Sequence, residues 1–599
     1  MDYKSVRNLP TMFFDQAEQY GDRQFLWSKR DKKWQSQSWS EVASRIGELS
    51  RTLRALGVEP GDRVALVSEN RPAWLIADVA IMAAGAITVP AYTTNSEDDH
   101  HYLLNDSGAK GLIISTTALS KRALPAAMRA PATEFAICLE TPEPVPGQGL
   151  RIYTWEEALE MGRVLPDDVR EFATKPQRAD TCCLIYTSGT GGQPKGVMLS
   201  HGAIICNCMG AQDVIARLPG YREPGEVFLC FLPLSHAYEH SAGQFFPISI
   251  GAEIYYAESL EKLVANIAET RPTIMTAVPR LYESIYTRIL RGLNDASPLR
   301  RRLFHKAVEL GRKRYEDPDS LSIGERLQDA LLDKLVRKKV AGRFGGRLKA
   351  FVSGGAALNY EIGVFFAALG IRLLQGYGQT EAAPVVSVNR HEPNKLDTVG
   401  PPMMGVEVKI ADDGEILVRG ELLMNGYWNN PEASAEALKD GWLHTGDIGI
   451  IDNDGCIKIT DRKKDIIVSS GGDNVSPQRI EGILTVEPEI AQAMVYGDRR
   501  SHLVALIVPD EEFASTWAAE NNKDGDLATL IGDTDFTKTI GAAVDRVNKK
   551  LSVIERVRKF VLTAEGFTIE NGMLTPSMKI RRHIIREQYG NALDALYGK

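Results

Sequence analysis

The spacing of apolar and polar positions predicts the elements of this chain before any motif is considered. Val42, Ile46, Leu49, Leu53 and Leu56 recur at helical spacing behind Ser40 and Glu41, predicting a helix over 40–56. Ahead of it, Phe25-Leu26-Trp27 and the run from Trp34 to Trp39, separated by the charged turn 29–33, predict a strand pair. Short apolar runs at 64–67, 87–89 and 111–114 then alternate with helical stretches such as 71–84. Strands alternating with helices predict an α/β fold with a largely parallel sheet.

Further along, the pattern becomes helical and strongly basic over 287–349, with Arg300-Arg301-Arg302, Arg312-Lys313-Arg314 and Arg337-Lys338-Lys339. Solvated helix faces are the favoured reading; the functional alternative is attraction for anionic lipid headgroups or a polyphosphate ligand. Short strands and turns are predicted over 406–454. The charged run 460–465 interrupts the apolar strands 456–459 and 466–468, as an exposed linker would. Beyond it, strands at 493–496, 503–508 and 557–562, with helices at 476–485 and 536–550, predict a small α+β domain. The division is thus 1–463 and 464–599, with a basic helical insertion near 287–349.

Bulk properties narrow the class. At 599 residues the chain exceeds one hydrophobic core, and 44% apolar with 25% charged residues is ordinary for a soluble globular protein. A net charge of -8 gives no support to nucleic-acid binding. Seven cysteines without a C-x-x-C pair suggest buried thiols in a reducing compartment. Met1 to Pro10 has no apolar core for a secretory signal, and Asp78 and Gly85 interrupt the most apolar window, 74–91, too strongly for a membrane span. The expected location is cytoplasmic, with peripheral contact at the inner membrane face left open.

Chemistry concentrates at Tyr186 to His201, Y-T-S-G-T-G-G-Q-P-K-G-V-M-L-S-H, after the strand-like Cys182-Cys183-Leu184-Ile185. Gly189, Gly191, Gly192 and Gly196 permit close backbone approach, Thr187, Ser188 and Thr190 supply hydroxyls, and Lys195 supplies a fixed positive charge. This composition suits an anion, with phosphate the natural guest. Gly196 after Lys195 excludes a Walker A loop, and Pro194 stands where a dinucleotide fingerprint needs its third glycine. Further on, Gly376-Tyr377-Gly378-Gln379-Thr380-Glu381 offers an aromatic platform for a base and a carboxylate for a hard cation such as Mg²⁺. Asp447, in Thr445-Gly446-Asp447, suits a pair of ribose hydroxyls, although from this stretch alone a plain Asp turn is the favoured reading. His236, Glu239 and His240 could bind metal or act as acid and base; with no third ligand at suitable spacing, pocket lining is favoured.

In order and content these motifs, together with S-G-G-A-A-L from Ser353, D-R-K-K-D from Asp461 and S-G-G-D-N-V-S-P from Ser470, resemble the adenylate-forming superfamily over nearly the whole chain. The basic insertion and the ending Asn571 to Lys579 are most similar to long-chain fatty acyl-CoA synthetases. The resemblance implies a large ATP- and acyl-binding domain followed by a small mobile domain. It implies fatty acid, ATP and coenzyme A as substrates, Mg²⁺, and formation of acyl-AMP and pyrophosphate followed by acyl-CoA and AMP. An acyl-AMP ligase serving a carrier protein, or a medium-chain or aryl-CoA ligase, is the alternative; the oligomeric state stays open, a homodimer included.

The resemblance also implies roles by position. Thr187, Ser188, Gly189, Thr190, Gly191, Gly192 and Lys195 would wrap the ATP phosphates, with Thr187 and Glu381 on Mg²⁺. Gly355, Ala356, Gly376, Tyr377, Gly378 and Thr380 would hold the adenine end, and Asp447 and Arg462 the ribose. Lys579, with Lys195 and Glu381, would be catalytic; Lys464 would be the hinge, Gly471 part of the coenzyme A tunnel, and His236 and His240 the acyl gate. Acyl-chain length would be set by side chains between about 202 and 251. Gly191 departs from the Thr or Ser of many members, removing a hydroxyl bond of about 1 kcal/mol that backbone N–H groups could replace.

Overall fold

The computed structural model describes residues 1–598 except 144–148, 188–192, 295, 464, 469, 471–473 and 576–579. The readings on Ser188, Gly189, Thr190, Gly191, Gly192, Lys464, Gly471 and Lys579 therefore lie outside the described residues.

Among the described residues, two eight-stranded sheets form the larger part. One runs, in spatial order, through Gly426–Tyr427, Lys195–Ser200, Thr181–Thr187, Ile87–Ala91, Arg63–Val67, Gly111–Ile114, Phe135–Cys138 and Arg151–Thr154. Its strands from Ile87–Ala91 outward pair in parallel, as alternation of strands and helices predicts. The second places Ala350–Ser353 beside Leu373–Gly378 and closes on the Gln24–Arg30 and Lys33–Ser38 hairpin. That hairpin turns through Asp31 and Lys32, both at positive φ, which suits a tight two-residue turn.

The helix Pro72–Ala83 shows why an apolar window need not be a membrane span. All its residues but Ala73 are buried, in the main core cluster drawn from both large sheets. Its single charge, Asp78, is fully buried and accepts from His240 Nε2 at 2.9 Å and Gln244 Nε2 at 2.8 Å. No described helix is long and apolar enough to cross a membrane. All seven cysteines are buried free thiols.

Local signals were read correctly in kind and shifted at the ends. The helix expected from Ser40 runs over Trp39–Ala55, because Ser38 caps it and Glu41 completes the capping box with Ser38. Ser476 does cap the helix Pro477–Leu484. The segment read as a linker is partly sheet: Thr460, Asp461 and Arg462 belong to Ile457–Arg462, paired antiparallel with Trp442–Ile451. Cross-strand hydrogen bonds override the charge pattern there.

Beyond that strand, Ile490–Tyr496, Leu503–Pro509 and Val557–Leu562 form a three-stranded sheet with helices and separate core clusters. The helix Arg582–Ala595 closes it, and Arg582 grips the buried Glu481 with both nitrogens, at 2.6 and 2.7 Å. The larger part meets this unit where Asn359 Nδ2 donates to the Gly482 carbonyl at 2.8 Å and Arg291 pairs with Asp510 and Glu512.

Tyr377 lies between glycines for a backbone reason as well as any ligand reason. A Cβ at position 378 would stand 1.9 Å from the Pro384 carbonyl oxygen, where Leu373–Gly378 turns into Val385–Val388. G378A is therefore expected to lower stability by about 1–3 kcal/mol through overpacking, measured as the thermal unfolding midpoint without ligand. An unchanged midpoint would show that the turn relaxes freely.

Candidate active site

The strands on either side of the proposed phosphate loop pair antiparallel. Thr187 ends one strand and Lys195 begins the next, and the two are direct cross-strand partners. Where the sequence predicts a loop followed by a helix, the strand Lys195–Ser200 intervenes, its apolar centre masked by its glycine and polar ends. The strand pair is held from outside: Tyr102 Oη donates to the Pro194 carbonyl at 2.8 Å and Tyr186 Oη to Asp106 at 2.6 Å.

Lys195 Nζ lies 4.1 Å from the centre of the Tyr427 ring. Tyr427 sits on a two-residue strand paired with Lys195–Ser200, and its hydroxyl donates to Glu381 Oε1 at 2.8 Å. Burial, then the neighbouring Glu381, push the Tyr427 phenol well above its ordinary range, so it stays a donor. The backbone of Glu381 is fixed too, its carbonyl accepting from Met424 N at 2.9 Å. Tyr427 was not read from the sequence; the available signal was an aromatic directly after Gly426 in a short apolar patch.

A second tyrosine–carboxylate pair lies nearby. Tyr377 Oη donates to Asp447 Oδ2 at 2.6 Å, and Arg462 Nε lies 3.2 Å from Asp447 Oδ1. Asp447 and Arg462 are direct cross-strand partners, which brings the two proposed ribose residues together. Burial, then Asp447, hold the Tyr377 phenol far above its ordinary value. Glu415, also missed in the sequence, supports the turn before Asp447 by accepting from Gly446 N at 2.8 Å. Burial pushes Glu415 up, but the Gly446 amide and the Lys463 ammonium outweigh it and leave it lowered.

These groups line one open cleft of about 2340 Å³. It brings together Thr187, Lys195, Gly355, Ala356, Gly376, Tyr377, Gly378, Thr380, Glu381, Asp447 and Arg462. Its far wall comes from the C-terminal unit, including Thr575 and Ile580. The described residues contain no cluster of three or more His, Cys, Asp or Glu able to hold a metal by itself.

The two histidines part company. His236 lines the cleft, whereas His240 is fully buried against Asp78 and edge-on to Trp74 and Phe245. Burial pushes the His240 imidazole down, but the Asp78 carboxylate outweighs it and raises it. His240 thus serves the core and lines neither cavity described here. Its neighbour Glu239 is also fully buried and accepts from Thr276 Oγ1 at 2.5 Å.

Behind the cleft lies a small apolar cavity of about 40 Å³, walled by Ile215, Phe246 and Met403 among others. Tyr238, Val352, Val385 and Val388 line both spaces, so the cavity backs directly on the cleft.

Family models match the chain as an AMP-binding enzyme over residues 13–428 and as an AMP-binding enzyme C-terminal domain over 464–599. The chain belongs to the AMP-binding enzyme family. Similar members include the long-chain-fatty-acid–CoA ligase FadD15 of Mycobacterium bovis, 34% identical over 99% of this chain and 97% of that protein. Another is the peroxisomal long chain acyl-CoA synthetase 7 of Arabidopsis thaliana, 32% identical over 100% of this chain and 87% of the relative. Among solved AMP-binding folds, the adenylation domain of the carboxylate reductase from Mycobacterium chelonae superposes with a TM-score of 0.76 at 24% identity, covering 99% of this chain and 91% of that one.

Burial raises Glu239 to about 7. The folded state therefore holds a proton that the unfolded state releases near 4.5, and stability contributed by the neutral acid is lost as pH rises towards 7. E239Q removes this dependence. The gap in unfolding midpoint between variant and parent should move in the variant's favour from pH 5 to pH 8; a gap independent of pH would show that Glu239 is not neutral in the fold.

Proposed function

We propose that this chain is a long-chain fatty acid–CoA ligase, forming acyl-AMP and pyrophosphate from ATP and a fatty acid, then acyl-CoA and AMP. The observation that carries the reading is one cleft that gathers Lys195, Glu381, Asp447 and Arg462 and is backed by a small apolar cavity, on the side where the tail of a fatty carboxylate would enter. The names of full-length relatives agree with it.

Tyr377 and the backbone at Gly355 and Ala356 hold the adenine, and Asp447 and Arg462 the ribose hydroxyls. Lys195 and the loop before it hold the phosphates. Glu381 and Thr187, which line the same cleft, would hold Mg²⁺, an ion content with one carboxylate plus phosphate oxygens; when bound, it neutralises phosphate charge. The fatty carboxylate oxygen attacks the α-phosphorus, the new C–O–P link forms, and the bond to the β-phosphate breaks. Lys579 offsets charge at the reacting phosphate, a role supported by the cleft-lining residues on both sides of its segment. In the second step the coenzyme A thiolate attacks the acyl carbon and AMP leaves. Rotation of the unit 464–599 about Lys464, with Gly471 lining the thiol's path, separates the two steps.

K579A should slow acyl-adenylate formation by about 10²–10³ while supplied acyl-AMP still reacts with coenzyme A; equal loss in both half-reactions would sink the role. Pyrophosphate release over acids of increasing length, with and without coenzyme A, tests the activity itself. Turnover that rises with chain length and needs coenzyme A is expected. Preference for aromatic or short acids, or acyl-AMP that coenzyme A leaves untouched, would point to another acid or acceptor.

A further inference from the structure

The basic insertion folds as an antiparallel helical hairpin whose second arm exposes one side. Its first arm is Pro298–Glu316; its second is Ile323–Leu332, continued through Asp333–Arg337 into Lys338–Arg343. The inward side of the second arm is settled by its contacts. Leu332 packs with Ala307, Leu310 and Leu321, and Arg337 Nη2 donates to Asp329 at 2.5 Å and to the Ala307 carbonyl at 2.9 Å.

On the other side stand Ile323, Leu327, Leu331 and Leu335, 81%, 71%, 56% and 40% exposed. Residues four apart on a helix lie on one face, so these form a single apolar stripe, roughly 18 Å long at 1.5 Å per residue. Contiguous exposed leucines of this kind mark an interaction surface. Beside the stripe Lys334, Lys338, Lys339 and Arg343 are exposed and enter no ion pair of the described residues. Of the three acids on this arm, Glu325 pairs with Lys313 and Asp329 with Arg314 and Arg337, which leaves Asp333 as the only one outside an ion pair of the described residues. Within 298–349 fifteen Lys and Arg face seven Asp and Glu, in a chain whose net charge is -8.

Charge selects among the occupants. A second copy of the chain would set lysine against lysine along the stripe, and a free polyphosphate makes no use of the leucines. An anionic lipid surface takes both, apolar side chains below the headgroups and lysines among them. We propose that the hairpin docks on an anionic bilayer surface through Ile323, Leu327, Leu331 and Leu335, with Lys334, Lys338 and Lys339 against the headgroups. No described helix can span a bilayer, so the contact is peripheral and reversible.

The test is co-sedimentation of the full-length protein with phosphatidylcholine vesicles, with and without phosphatidylglycerol. Binding is expected only to the anionic vesicles and should weaken with added salt. L327S/L331S should lower partitioning tenfold or more, and K334Q/K338Q/K339Q by about fivefold per lysine. Both variants should keep the parent's unfolding midpoint and its turnover of a short soluble acid. No vesicle binding by the parent, equal binding to neutral lipid, or undiminished binding by folded variants would overturn the proposal. So would a change of oligomeric state in L327S/L331S with vesicle binding intact, which would make the stripe a contact between copies.

Discussion

The Asp447 carboxylate ties the two halves of the cleft together. One oxygen takes the Tyr377 hydroxyl from an eight-stranded sheet, and the other faces Arg462 across its own five-stranded sheet. A carboxylate that is only 4% exposed tolerates burial only while such hydrogen-bonding partners are in place. The Tyr427–Glu381 pair likewise joins one large sheet to the turn Thr380–Ala382, which connects two strands of the other. Each carboxylate proposed to meet ligand is thus already held by a tyrosine, so its position is set before anything binds. Preorganisation of this kind removes reorganisation from the reaction itself.

Much of this was legible in the sequence, and what was not has a common cause. The strand-like Cys182 to Ile185 run and the helix expected from 476 are local signals, carried by apolar periodicity and by a capping side chain within three residues of its target. The identity of Asp447 and Arg462 as site residues came from resemblance, but their pairing depends on the register of two strands joined by a turn at 452–455, which no local pattern specifies. Tyr427 is further from legibility still. It meets Glu381 only because a two-residue strand adds to the edge of a sheet that begins far earlier in the chain.

His236 and His240 make the same point within one turn of chain. Four residues apart, they have the same sequence credentials. Asp78, from a helix over a hundred and fifty residues earlier, claims His240 for the core and leaves His236 in the cleft. The helix that carries Asp78 is apolar on every side, so its lone carboxylate must find its partners inside the protein.

The apolar cavity has room for about three waters at the volume one water needs, being about 40 Å³. A hydrocarbon chain entering there would have to push Phe246, Ile215 and Met403 aside. Each methylene then gains about 0.8 kcal/mol by leaving water and gives some of it back in displaced packing. Chain-length preference on such a wall is a matter of compliance, of how far the helix His201–Ile215 and its neighbours yield, more than of the depth of a fixed pit.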